Sequence, residues 1–170
     1  MKWITLLLVV ILAGIAAFRP VSLHADDSAG PIFVTKIPAG YRDWKLISVA
    51  HEEGSLNSIG AVPGNEVAIK AYREGKLPFP DGTIIAALHY GHVPSAENNK
   101  VFGQSQSFVP GPATNIQFMV KDSAKYAATG GWGFATFKDG IPADAASMKS
   151  CFPCHNRTKA SDLVFTRYAP

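Results

Sequence analysis

The stretch Pro80–Tyr90 reads PDGTIIAALHY, a tight-turn tripeptide followed by a run that only a β-strand accommodates comfortably. Pro-Asp-Gly sets the turn, and Thr83 to Tyr90 are rich in β-branched and aromatic side chains. On its N-terminal side, NEVAIKAYREGK (residues 65–76) has helical spacing. Asn65 can cap it, Glu66 sits in the first turn, Ala68, Ala71 and Tyr72 share a side, and Gly75 can stop it. Further back, NSIGAVPGN (57–65) is a short strand ending in a turn. In YRDWKLISVAHEEG (41–54), Trp44, Leu46, Ser48 and Ala50 alternate with Lys45, Ile47, Val49 and His51, a strand with apolar residues on both faces.

On the C-terminal side, NNKVFGQSQSFVPGPATNIQFMVKD (98–122) reads as one or two strands broken at Pro110-Gly111-Pro112. DSAKYAATGG (122–131) is a short helix capped by Asp122, with Gly130 beyond its end. GWGFATFKDG (131–140) is a strand closed by an Asp-Gly turn, and IPADAASMKS (141–150) is a helix with Pro142 near its start. DLVFTRYAP (162–170) is a last strand. The expected fold class is therefore α+β, an antiparallel sheet with a few short helices.

The first residues set the compartment. Lys2 is a short positive start, Ile4–Phe18 is almost unbroken apolar sequence, and Ala25 is a small residue suited to cleavage. A run of this length falls short of the roughly 20 residues a spanning helix needs. Residues 1–25 read as a signal peptide, and 26–170 as one periplasmic or secreted domain. The chain carries 16 basic and 13 acidic residues, but Lys2 and Arg19 belong to the leader, so the domain is close to neutral. No basic run marks a nucleic-acid partner.

The helix at 141–150 runs into Cys151-Phe152-Pro153-Cys154-His155, which holds the only two cysteines of the chain. Three chemistries use such a step. Covalent attachment of haem c places two thiols on one porphyrin edge and the next histidine under the ring. A zinc site needs two further ligands, for which only His89 and His92 offer themselves as a pair. A thiol–disulfide centre usually opens a helix after a strand of a βαβ unit, whereas this motif lies near the C-terminus with a helix before it. The compartment and the trailing histidine favour haem c. Zinc, disulfide exchange and a structural disulfide are the alternatives.

YRDWKLIS (41–48), GKLPFPDGTIIA (75–86), VKDSAKYAATGGWGFATF (120–137) and CFPCH with the following DLVFTRYAP resemble, in order, the cytochrome P-460 family, which includes cytochrome c-prime-beta. The similarity runs from about Ile32 to Pro170. It implies a mostly antiparallel sheet, haem c thioethers at Cys151 and Cys154, His155 as axial iron ligand, and a homodimer. Members with the P-460 chromophore oxidise hydroxylamine or bind nitric oxide and depend on a lysine cross-linked to the porphyrin. That position falls near Ala87 here, and no lysine occurs between Lys76 and Lys100. A distal carboxylate used as proton acceptor would fall near NIQFMV (115–120), where Gln117 and Phe118 stand instead.

The resemblance thus points to a monohaem cytochrome that binds a small diatomic or nitrogenous ligand such as nitric oxide. Phe102, Gln117 and Phe118 are candidates for the distal pocket, and Arg157 and Arg167 for contacts to haem propionates. The alternatives are an electron-transfer cytochrome with a redox partner protein, its sixth ligand sought among Met119, His89 and His92, and a hydroxylamine-oxidising or peroxide-reducing enzyme.

Overall fold

The computed structural model describes residues 33–169, so the leader at 1–25 lies outside the described residues. Six strands form one antiparallel sheet in chain order: β1 (Lys45–Glu52), β2 (Ser58–Gly64), β3 (Ile84–Pro94), β4 (Phe108–Lys121), β5 (Trp132–Lys138) and β6 (Ile141–Pro142). Four short α-helices interrupt the meander: α1 (Glu66–Arg73), α2 (Ala96–Phe102), α3 (Ala145–Lys149) and α4 (Cys151–His155). The α+β expectation holds.

Asn65 shows how one residue fixes a junction. Its side-chain oxygen accepts from Ala68 N at 3.0 Å, capping α1, and from Ile84 N at 3.1 Å, starting β3. Its amide donates to Gly82 O at 2.8 Å, which holds the Pro-Asp-Gly turn against the helix. Gly75 then ends the helix region at φ 61°, a conformation that costs other residues free energy.

Strand alternation sends side chains to two cores. On one face Ile47, Val62, Ile85, Met119, Trp132 and Phe134 pack under α1 through Ala68, Ile69 and Ala71. On the other, Ala86, Leu88, Phe118, Ala135 and Phe137 are covered by the segment holding Val34, Ile37, Tyr41 and Trp44. Phe33 and Val34 dock along β5, where Val34 N donates to Phe134 O at 2.9 Å.

Four local expectations change. Residues 98–102 belong to the helix α2, not to a strand; Ser95 caps it by accepting from Asn98 N at 3.2 Å. The strand β4 runs through Pro110-Gly111-Pro112 without a break, because register shifts against β3 at His89–Tyr90 and Tyr90–His92 absorb prolines that cannot donate. Residues 122–130 form a turn and a 3-10 turn (Ala127–Thr129), although Asp122 does cap by accepting from Lys125 N at 2.9 Å. The segment after Asp162 is extended but not a strand. It crosses α1, with Tyr72 Oη donating to Thr166 O at 3.1 Å, and meets β1 through one bond, Ala169 N to Ile47 O at 2.9 Å.

Candidate functional site

α3 and α4 deliver the CxxCH motif to the sheet. Asp144 caps α3 by accepting from Ser147 N at 2.9 Å, and Ser147 Oγ donates to its other oxygen at 2.7 Å. Both bonds hold the Asp144 carboxyl below its ordinary pKa. Pro142 lies in β6 rather than at the helix start. Cys151 and Cys154 sit one helical turn apart, on one side of α4, with His155 directly after them.

All three side chains border a cavity of about 530 Å³, within the range of small-molecule and cofactor sites. Its floor is the sheet face bearing Gly60, Val62, Ile85, Ala87, Gln117 and Met119, and Val164, Phe165 and Thr166 line it beside His155. Gly60 and Ala87 keep that floor low. No lysine lines the cavity among the described residues.

His155 is the most firmly held member. Its Nδ1 donates to Leu163 O at 2.8 Å; a carbonyl only accepts, so Nδ1 carries the proton and Nε2 keeps a free lone pair. Phe134 and Phe165 flank the ring, each with its centroid 5.0 Å away. Burial lowers the imidazole pKa, against a smaller upward effect of the Leu163 bond, which favours the neutral form that can bind a metal.

The carbonyl that aims His155 is itself fixed from the sheet. Asp162 and Leu163 adopt left-handed backbone conformations, φ 51° and 67°, unusual for side chains of these kinds. Lys121 Nζ, on β4 and only 5 % exposed, donates to both Asp162 oxygens at 2.9 Å and to Gly130 O at 3.0 Å. Phe79 N donates to Asp162 Oδ2 at 2.9 Å. A chain of short contacts therefore runs from β4 through Asp162 to the His155 ring, the kind of outer support that orients ligating histidines.

The two thiols differ in surroundings. Cys151 is half-buried, and burial raises its pKa; Cys154 is exposed. A redox-active CxxC needs the opposite, a thiol with depressed pKa. Among the described residues no three His, Cys, Asp or Glu side chains converge to hold a metal ion, so His89 and His92 do not complete a zinc set with the cysteines. The residues do fit haem c: two thiols on one side of a helix, an adjacent imidazole with a free nitrogen, and a largely apolar cavity.

The other predicted positions divide. Gln117 and Met119 line the cavity, and Met119 is otherwise packed in the core. Phe118 also borders the cavity, while its ring packs on the opposite face, edge-on to Tyr41 at 5.5 Å and Phe137 at 6.0 Å. Phe102 sits on α2, exposed and outside the lining. Arg157 and Arg167 are exposed and border the cavity only through sequence neighbours. Met148 is buried on α3 away from the lining, and His92 stacks between His51 at 4.0 Å and Phe108 at 4.2 Å.

Sequence reasoning missed Glu52, Ser58 and His89 as a group, and the Lys121–Asp162 pair. Strand alternation does place Glu52, at the end of β1, on the cavity face. Asp162, a charge between the motif and an apolar run, was the available signal for the second.

The family model described as Cytochrome P460 matches residues 38–166, spanning every strand and the CxxCH motif. No curated protein matches the chain. The match, together with a CxxCH helix facing a cavity on an antiparallel sheet, places this chain in the Cytochrome P460 family, whose cofactor is haem c with its iron.

Proposed function

We propose that the chain is an exported monohaem c-type cytochrome that binds a small ligand such as nitric oxide at haem iron. One observation carries this reading. His155 shares one cavity with both cysteines, over a sheet wall that is low and apolar at Gly60, Val62 and Ala87. Cys151 and Cys154 would hold the porphyrin as thioethers, and His155 Nε2 would bind its iron. Bound haem would supply an iron centre able to take a diatomic molecule. The protein supplies a water-poor pocket and a fixed imidazole.

Export rests on the leader at 1–25 and agrees with the family; no helix among the described residues is long and apolar enough to cross a membrane. A cavity lining without lysine counts against hydroxylamine oxidation of the P-460 kind. Arg157 and Arg167 remain the candidates for the propionates. The homodimer implied by the resemblance belongs to the same proposal and is tested by sedimentation of the mature protein.

A second reading has its own support. Met119 lines the same cavity as His155, and a thioether there could complete His/Met ligation in an electron carrier serving a redox partner protein. Two substitutions separate the readings. His155→Ala should keep covalent haem and lose the native iron spectrum. Met119→Leu should leave the visible spectrum unchanged in the ligand-binding cytochrome, and convert a six-coordinate low-spin spectrum to high spin in the carrier. An unchanged spectrum in His155→Ala rejects that ligand.

A further inference from the structure

Away from the CxxCH motif, the cavity meets two ionisable side chains among the described residues, His89 on β3 and Glu52 on β1. They belong together. Glu52 Oε2 lies 3.8 Å from His89 Nδ1, and Ser58 Oγ sits between, 3.3 Å from Glu52 Oε2 and 3.5 Å from His89 Nδ1. Ser58 is buried, and the His89 side chain is 11 % exposed. The carboxylate and hydroxyl occupy the Nδ1 side of the ring. His89 Nε2 is buried and has no hydrogen-bond partner. On β4, directly across from His89 in the ladder, Asn115 Oδ1 is likewise buried and unpaired, and Asn115 also lines the cavity.

Buried polar atoms are nearly always paired, so two orphans side by side at the wall of one cavity need an account. With the Nδ1 proton turned to the Glu52–Ser58 side, Nε2 is an acceptor, and Asn115 Oδ1 is an acceptor as well. Two acceptors together call for a molecule that brings hydrogen. A carboxylate behind the imidazole compensates the positive charge that proton uptake creates, which makes His89 a suitable base.

We propose that His89, backed by Glu52 through Ser58, is the proton acceptor for a protic ligand, a small acid H–X whose conjugate base binds the iron. The balance is simple. The H–X bond breaks heterolytically, X⁻ keeps the electron pair and goes to the metal, and the proton goes to His89 Nε2. No electron is transferred. The inference rests on the haem reading above and adds a ligand class to it. A molecule without a proton, such as nitric oxide, gains nothing from this base.

The test compares hydrogen cyanide with nitric oxide on the ferric holoprotein by stopped-flow absorption. In His89→Leu, cyanide association near neutral pH should slow by roughly 10²-fold more than nitric oxide association does. Glu52→Gln should give a smaller loss in the same direction. Should His89→Leu fail to mature, His89→Gln keeps the side chain polar but cannot take a proton, and the same ratio applies. A second readout is the ring ¹⁵N shift of His89 in the diamagnetic ferrous carbon monoxide complex, which should show Nε2 unprotonated in the wild type. Equal slowing of both ligands, or a protonated Nε2, overturns the proposal. Wild-type protein that binds neither ligand overturns the haem-ligand reading instead.

Discussion

At the scale of single residues, Lys121 and Asp162 do more than pair. Lys121 is buried and Asp162 partly so, and Asp162 sets the left-handed turn from which Leu163 O aims His155. Removing one partner leaves a buried charge alone, which costs about 3–5 kcal/mol. Asp162→Ala should therefore lower unfolding free energy by that order, read by denaturant titration, and should perturb the iron spectrum because Leu163 O shifts. Lys121→Met removes the counter-charge and leaves the Asp162 carboxylate with only the Phe79 N bond; it should show the same spectral change. A destabilised Asp162→Ala protein with a native iron spectrum would sever the pair from the site. Gly133 makes a second case. A Cβ there would overlap the Tyr126 ring, so Gly133→Ala should destabilise by about 1–3 kcal/mol in the same assay.

Short helices decide the approach to the site at the scale of elements. α3 has five residues and cannot hold itself together by length, so its cap matters. The Asp144 pKa is depressed in the folded chain, so its stabilisation is present above the ordinary carboxyl pKa of about 3.9 and is lost as pH falls through the lower folded value. Asp144→Ala should melt below wild type at neutral pH, and the gap should close in strong acid. A gap that does not change with pH would rule out the carboxylate as its source. The same scale shows what was legible in advance. β1, β2, β3, β5 and α1 announce themselves through alternation, caps and turns. Residues 96–102 do not, because AENNKVF has little apolar periodicity and is held by the Ser95 cap and by Asn99, whose Oδ1 accepts from Gln106 N at 2.9 Å and Ser107 N at 2.7 Å. The β propensity of DLVFTRYAP was real, yet after the Asp162 turn the segment meets the edge strand β1 through a single backbone bond, Ala169 N to Ile47 O.

The site divides in the same way on the scale of the whole molecule. The CxxCH motif was readable because its chemistry is local to five residues. The cavity wall was not, because Glu52, His89 and Asn115 come together only through the register of β1 to β4. Phe118, one step along β4 from Gln117, packs in the opposite core, a placement set by strand alternation and not by residue type. A protein assembled this way should depend on its cofactor, because a cavity of about 530 Å³ left without haem forfeits the contacts that would line it. Protein expressed without haem attachment should melt well below the holoprotein.

Covalent haem is the claim on which the rest stands, and one measurement reaches it directly. The mature protein is produced with cytochrome c maturation machinery and denatured, and the haem that stays with the chain is recorded; absorption spectra of the native protein follow, with and without nitric oxide. Haem that survives denaturation, with a high-spin spectrum that shifts on adding the gas, is the expected result. A chain that carries no covalent haem under those conditions would contradict the account.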